Sequence, residues 1–174
     1  MNIKLLHSPT FEEQMLFKTA IWTTMGKSEL PSDPPSFNLI HKCLEARHSP
    51  IRELHFVFLI RDIPSNTATH FVRHVHAQPY VSSLRNDRQT AIDGDLAPRN
   101  TPVDMMLSVN AEELMVMANK RLCTKAAQKT REVMQEMCRL ASGAFPAISD
   151  FLVPMCEYCG GVCHEINGCG RCSK

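Results

Sequence analysis

Two periodicities run through this chain and together predict an α+β fold. Apolar residues alternate at period two from Glu53 to Arg61, and they recur at helical spacing behind Thr10, behind Ser36 and through a long stretch from Asn110 to Leu140. Size is the third observation: 174 residues, at about 150 per domain, make one main unit, and a 44% hydrophobic share is enough for a real core.

Thr10 followed three residues later by Glu13 is a capping-box pattern, with Phe11, Met15 and Ala20, joined by Leu16 and Phe17, as the apolar stripe behind it. From Gly26 to Pro35 the chain holds Gly, Ser and three prolines, which cannot continue a helix and predict a loop. Ser36 caps a second helix reaching about His48, with Phe37, Ile40 and Leu44 on one face, and Ser49-Pro50 ends it. Phe56, Phe58 and Ile60 then alternate with His55, Val57 and Leu59 in a strand expected to be covered on both faces.

Asp62 and Pro64 close that strand, and Ser65 or Asn66 caps a helix running into Phe71, Val72 and Arg73, which Pro79 interrupts. Gln89 to Thr101, polar and carrying Gly94, Pro98 and Asn100, predicts an exposed loop. Beyond Asn110, the spacing of Leu114, Met117 or Ala118, Leu122, Ala126, Val133, Met137 and Leu140 describes one long helix, or two with a bend. The methionines along it serve as adaptable core packing.

Charge narrows the function classes. Lys+Arg 19 against Asp+Glu 18 leaves +1, which argues against a nucleic-acid partner. The longest clean apolar run, Phe56 to Ile60, falls far short of the roughly 20 residues of a membrane helix. The segment from Met1 to His7 has no apolar stretch of signal-peptide length, so a soluble, cytoplasmic protein with no membrane partner is expected.

The densest polar constellation runs from His70 to Arg88 and holds His70, Arg73, His74, His76, Ser83, Arg85 and Arg88. A guanidinium is a planar fork that binds phosphate bidentately and stays charged at any working pH, so this cluster suits a phosphorylated small molecule. Ser83, beside Arg85, supplies a hydroxyl to orient that ligand. The competing reading is a solvated turn whose charges face water. His70 and His74, at i and i+4, also have metal-ligand spacing, without a third ligand in view.

Of the eight cysteines, Cys43, Cys123 and Cys138 are scattered, while Cys156, Cys159, Cys163, Cys169 and Cys172 crowd the C-terminus. Without a secretory signal such a cluster suits a metal better than disulfides. Two Cys-x-x-Cys pairs, with Cys163 and His164 between them, offer six soft ligands where four make a structural zinc site; unpaired thiols or a redox pair are the alternative. The chain thus divides into residues 1–151 and a Cys-rich tail over 152–174, the latter opening a reading as a zinc-knuckle interaction module.

Four islands in fixed order carry a family likeness. Arg73-His74-Val75, seven residues, then Ser83 resembles the Arg-His-Arg, seven residues, Ser signature of the flavin-dependent thymidylate synthases. Ser49-Pro50, Phe56-Val57-Phe58 and Thr69 to Arg73 occupy the places of that family's Pro, Phe-Thr-Phe and Gln-x-x-Arg elements. Val109-Asn110-Ala111, Arg121-Leu122-Cys123 and Ala127-Gln128 are similar to its Asn-Ala-Arg and Arg-Leu-Cys…Ala-Gln helix. Leu152 to Tyr158 through Cys169-Gly170-Arg171 resembles the Cys-bearing ends of some members.

The resemblance implies helices packed on a small sheet centred on Phe56 to Ile60, with a long helix near residues 111 to 142. It implies transfer of the methylene of methylenetetrahydrofolate to C5 of dUMP, with FAD reduced by NADPH supplying the hydride. It places Arg73 and His74 at the junction of FAD and nucleotide, Ser83 and Arg85 on dUMP, Asn110 on the flavin and Arg121 on the nucleotide. Ser83 is the candidate catalytic residue, in a substrate-orienting role. A homotetramer is implied as well. The chain is a divergent and shortened relative by this reading: Val75, Val81 and Glu112 stand where the family has Arg, Glu and Arg, Glu53 and His70 replace its His and Gln, and the segment from Arg88 to Asn110 is contracted. A pyrimidine-nucleotide binder that has lost flavin chemistry is the alternative.

Overall fold

The structure, a computed structural model that describes residues 1–89 and 92–172, is organised around an antiparallel sheet. Thr90 and Ala91 of the predicted polar loop, and Ser173 and Lys174 of the tail, lie outside the described residues. Four strands, β1 (Asn2–His7), β2 (His55–Pro64), β3 (Gln78–Val81) and β4 (Pro102–Asn110), pair in the order β1-β2-β4-β3. Helices α1 (Phe11–Thr24), α2 (Phe37–Glu45), α3 (Ser65–Val72), α4 (Ala111–Arg121), α5 (Gln128–Ala144) and the short α6 (Met155–Tyr158) complete the fold.

The predicted strand is the centre of the sheet, with Phe56 opposite Val109, Phe58 opposite Leu107 and Ile60 opposite Met105. Those side chains are buried, whereas His55, Val57 and Leu59 on the other face are only half-buried. The expectation of cover on both faces is corrected, because alternate β2 residues are buried on one face and only half-buried on the other, as an antiparallel sheet allows. The strand also outruns its predicted end: Asp62 takes a left-handed backbone (φ 56°) at a register shift between Ile60 and Ile63, and pairing resumes to Pro64.

Three strands were not foreseen. In β4, Val103, Met105, Leu107 and Val109 are buried and alternate with Asp104, Met106 and Ser108, a period-two signal that leads straight into the helix behind Asn110. Pro79 belongs to β3 opposite Leu107, an edge strand where a missing N–H is tolerated. α3 has already stopped at Val72, so Pro79 does not end it.

Helix starts follow the local chemistry. Thr10 and Glu13 form the reciprocal capping box, and Ser36 Oγ accepts from Leu39 N at 3.2 Å. Behind Thr10, however, Phe17 and Ile21 turn inward while Phe11 and Leu16 stay exposed. α2 ends at Glu45, short of His48, and Arg47 adopts a left-handed φ of 48° just beyond it. Ser65 and Asn66 do not cap α3: the Ser65 hydroxyl donates to the Arg99 carbonyl at 2.8 Å instead. The long helical pattern resolves into α4 and α5, separated by a turn at 122–127 that Arg131 stitches by donating to the carbonyls of Thr124 and Ala126.

One core joins the sheet to every longer helix, from Phe17 and Leu44 through Phe58 and Leu107 to Leu114, Met137 and Ile148. Cys43 and Cys138 belong to it, and burial pushes the Cys138 thiol up to about 12. Among the described residues no helix is long and apolar enough to cross a membrane.

Candidate functional site

The site grows from the junction of α3 with α4. Arg73 is the C-cap of α3, and the turn behind it carries His74 into the interior, 6% exposed. Opposite stands α4, with Glu113 in its first turn and Arg121 in its last. These two are eight residues apart, roughly two helical turns or about 12 Å of rise, and therefore share one face. The His74 imidazole fills the gap between them.

Its hydrogen bonds follow from that placement. Nδ1 lies 2.7 Å from Glu113 Oε1, and Arg121 Nε donates to Nε2 at 3.1 Å. Burial holds His74 below the ordinary histidine range, opposed by the bond to Glu113 and reinforced by the Arg121 charge. His70 is likewise lowered, by burial and by Arg121 and Arg73, and its Nδ1 meets Thr130 Oγ1 on α5 at 2.6 Å. His70 and His74 thus serve different partners, and their i, i+4 spacing does not make a metal pair.

Arg121 is lowered by burial and then by the nearby Arg73 charge. Among the described residues Arg73 has no acidic partner, and Arg121 donates only to the neutral His74. Two guanidiniums therefore share this region without a carboxylate bound to either. The adjoining cleft has Arg52, Arg73, His76, Glu112 and Lys120 around His74 and Glu113. Glu112, the charge reversal, is paired with Arg52.

The other sequence-predicted residues fall elsewhere. Asn110 is the N-cap of α4, its Oδ1 accepting from Glu113 N at 2.9 Å, so it reaches the cluster through the helix it starts. Ser83 and Arg85 lie on the turn after β3. Ser83 Oγ accepts from Arg85 N at 3.2 Å, and the exposed Arg85 side chain is held by Asp87 with two bonds of 2.8 Å. Among the described residues no hydrogen bond or ion pair joins Ser83 or Arg85 to Arg73, His74 or Arg121. Val75 and Val81 are exposed, Val75 at 86%. Sequence reading missed Glu113, Arg52 and Thr130. Only Glu113 carried a signal, its spacing of eight from Arg121 on one helix.

A second cleft lies between the end of α4 and the tail, lined by Cys123, Cys156, Cys163, Cys169 and Cys172. Cys159 is not among its lining residues; its sulfur is 3.7 Å from Met155 Sδ. Cys169 is held below the usual thiol range by the Thr124 hydroxyl and the Arg171 backbone, and Cys172 above it by the neighbouring Cys156 thiol. Four of the five expected zinc ligands thus border one space, but among the described residues no three Cys, His, Asp or Glu groups are placed to hold a metal ion. The root of the tail is pinned by Arg47, which donates to Tyr158 and Asn119, and by Asn119, which donates to the Val153 carbonyl at 2.7 Å.

The family model described as Thymidylate synthase complementing protein matches residues 95–147, the stretch that holds β4, α4 and α5. No curated protein matches the chain by sequence. The flavin dependent thymidylate synthase ThyX of Helicobacter pylori, complexed with FAD and dUMP, superposes with a TM-score of 0.71 at 17% identity, covering 88% of this chain and 100% of that one. A second ThyX structure from that organism, also with FAD and dUMP, gives 0.71 at 17% identity over 87% and 99%. A UMP/dUMP methylase, PolB of Streptomyces cacaoi bound with 5-Br dUMP, gives 0.65 at 15% identity over 86% and 93%. The fold is the one these three structures share.

Proposed function

We propose that this chain is a divergent flavin-dependent thymidylate synthase or a related dUMP methylase, and that it binds a pyrimidine nucleotide. One observation carries the reading: Arg73 and Arg121 stand near one another with no carboxylate bound to either, beside a buried histidine held neutral. Such an unbalanced pair of guanidiniums suits a phosphate, since each fork can donate two parallel hydrogen bonds to phosphate oxygens.

Division of labour follows from the residues. Arg121 binds the nucleotide through the terminal amino groups that no described residue engages, and Arg73 neutralises charge where nucleotide and cofactor meet. Ser83, whose only described bond is accepted from Arg85 N, keeps a hydroxyl proton to donate and orients substrate. No base is hydrogen-bonded to it, so a nucleophilic role is disfavoured. Arg85 joins Ser83 in holding the pyrimidine nucleotide.

The cleft fits FAD in charge, because Arg73 and Lys120 offer cations to a pyrophosphate and Glu112 is neutralised by Arg52. His74 and Asn110 complete the proposed cofactor side, Asn110 through the amide nitrogen its cap leaves over. When bound, FAD supplies hydride transfer, with NADPH as reductant and methylenetetrahydrofolate as carbon donor. A homotetramer is proposed as the working assembly. A second reading, a nucleotide binder without flavin, is favoured by the presence of Glu112 in that same cleft.

The visible absorption spectrum after incubation with FAD and desalting, with and without dUMP, tests the proposal. Retained flavin whose bands shift with dUMP supports it, dUMP binding without flavin selects the second reading, and loss of both overturns it. Arg121→Ala is expected to weaken dUMP binding by about 2 kcal/mol in a calorimetric titration, as the loss of a desolvated charge-assisted pair requires.

A further inference from the structure

We propose that Glu113 is a positioning residue: it holds the imidazole of His74 in one tautomer and thereby fixes the Arg121 guanidinium for a phosphate-bearing ligand. The inference rests on the nucleotide-binding reading only for the identity of that ligand.

The geometry leaves a single proton arrangement. A guanidinium Nε–H can only donate, so His74 Nε2, at 3.1 Å from Arg121 Nε, must present its lone pair. The ring proton then sits on Nδ1 and is donated to Glu113 Oε1 at 2.7 Å. Both side chains are closed off from solvent, at 4% for His74 and 7% for Glu113, so water does not replace either bond. Without Glu113 the Nδ1–H would be a buried donor lacking an acceptor, and the ring would turn or take another tautomer to satisfy it. A ring proton on Nε2 would face the Arg121 Nε–H donor to donor. The carboxylate is thus what makes His74 an acceptor toward Arg121.

The fold adds a reason for this relay. Glu113 and Arg121 lie on one face of α4 with Met117, fully buried, between them, and Arg121 is a long side chain near the end of its helix. An arginine carries several free torsions, and ordering it at the moment of ligand binding costs entropy. Anchoring Nε through a buried ring removes part of that cost beforehand and leaves the two terminal amino groups for an anion. Glu113 also carries negative charge near the proposed anion, which by charge alone would oppose binding. Positioning and charge therefore predict opposite effects of its removal.

The test combines Glu113→Ala and Glu113→Gln with titration of dUMP and of inorganic pyrophosphate, and with 15N spectra of the His74 ring in the ligand-free protein. Glutamine keeps an oxygen that accepts from Nδ1–H, so Glu113→Gln is expected to bind within about threefold of wild type or more tightly, with the ring proton still on Nδ1. Glu113→Ala is expected to bind about tenfold more weakly and to lose that ring signature. Tighter binding by both variants assigns Glu113 a charge role alone and overturns the proposal. So does a wild-type ring protonated on Nε2, or equal binding by wild type and Glu113→Ala. If the wild type binds pyrophosphate but not dUMP and the two variants still diverge as expected, the positioning role stands and only the nucleotide reading falls. A wild type that binds neither anion overturns both.

Discussion

The arginine–histidine cluster and the cysteine-lined cleft both collect reactive side chains, but they do so in different ways. In the first, each partner sits on or directly beside a regular helix, and burial forces the polar groups to satisfy one another at 2.7 and 3.1 Å. In the second, five cysteines border one space, four of them from a tail whose regular structure is the short α6, and although Cys156 and Cys172 are neighbours, among the described residues no three of them converge on a metal-sized site. Proximity along the chain concentrated the thiols, whereas packing between distant elements assembled the histidine cluster. Burial rather than density of reactive residues is what organises a site here.

The widest gap expected from that contrast concerns the thiols themselves. Cys138, core-buried and raised to about 12, should react with iodoacetamide at least about a thousandfold more slowly than Cys169, which sits below its ordinary value of 9.0. Mass-spectrometric labelling kinetics at neutral pH measure the ratio, and comparable rates would break the distinction between core and cleft. Next comes the helix that presents both ends of the cluster. Met117→Ala removes a fully buried side chain between Glu113 and Arg121 and should cost about 3 kcal/mol in denaturant unfolding.

The pH dependence is a subtler test. His70 and His74 are both lowered when folded, so the unfolded chain takes up protons first on acidification. The stability they hold is complete above the ordinary histidine value of 6.5 and is lost as pH falls through their lower folded values. A midpoint of urea unfolding that falls between pH 7.5 and 5.5 agrees with this, and one that rises contradicts it. The smallest effect belongs to the exposed turn. Arg85→Ala breaks a solvated pair with Asp87 and should change stability by less than about 0.5 kcal/mol, which thermal unfolding would show.

Legibility followed the range of the interactions. Thr10 with Glu13 and Ser36 with Leu39 could be read because a cap is made within four residues, and the β2 alternation because pleat period is a local property. The β4 alternation was equally local, yet Pro102 and two adjacent methionines hid it behind the stronger helical pattern that follows. Ser65 and Asn66 read as caps, but a tertiary acceptor, the Arg99 carbonyl, took the Ser65 hydroxyl. The candidate site was legible in part. Motif order singles out Arg73, His74 and Arg121, while Glu113 has only its helical spacing from Arg121 to mark it, and Arg52 and Thr130 stand in no motif and are visible only through what they touch.

By itself, then, the sequence determined where α1, α2 and α4 start, which strand lies at the centre of the sheet, and which short stretch concentrates arginine and histidine. Those are properties of neighbouring residues, set by capping, pleat and composition. Only the tertiary structure decided that His74 meets Glu113, 39 positions away, and Arg121, 47 away, and that Ser83 and Arg85 make their bonds elsewhere. It also decided that Cys123 lines the tail's cleft while Cys159 does not. Such pairings depend on how α3 packs against α4 and how the tail folds back, since a side-chain hydrogen bond acts over about 3 Å and no periodicity in the chain encodes that distance.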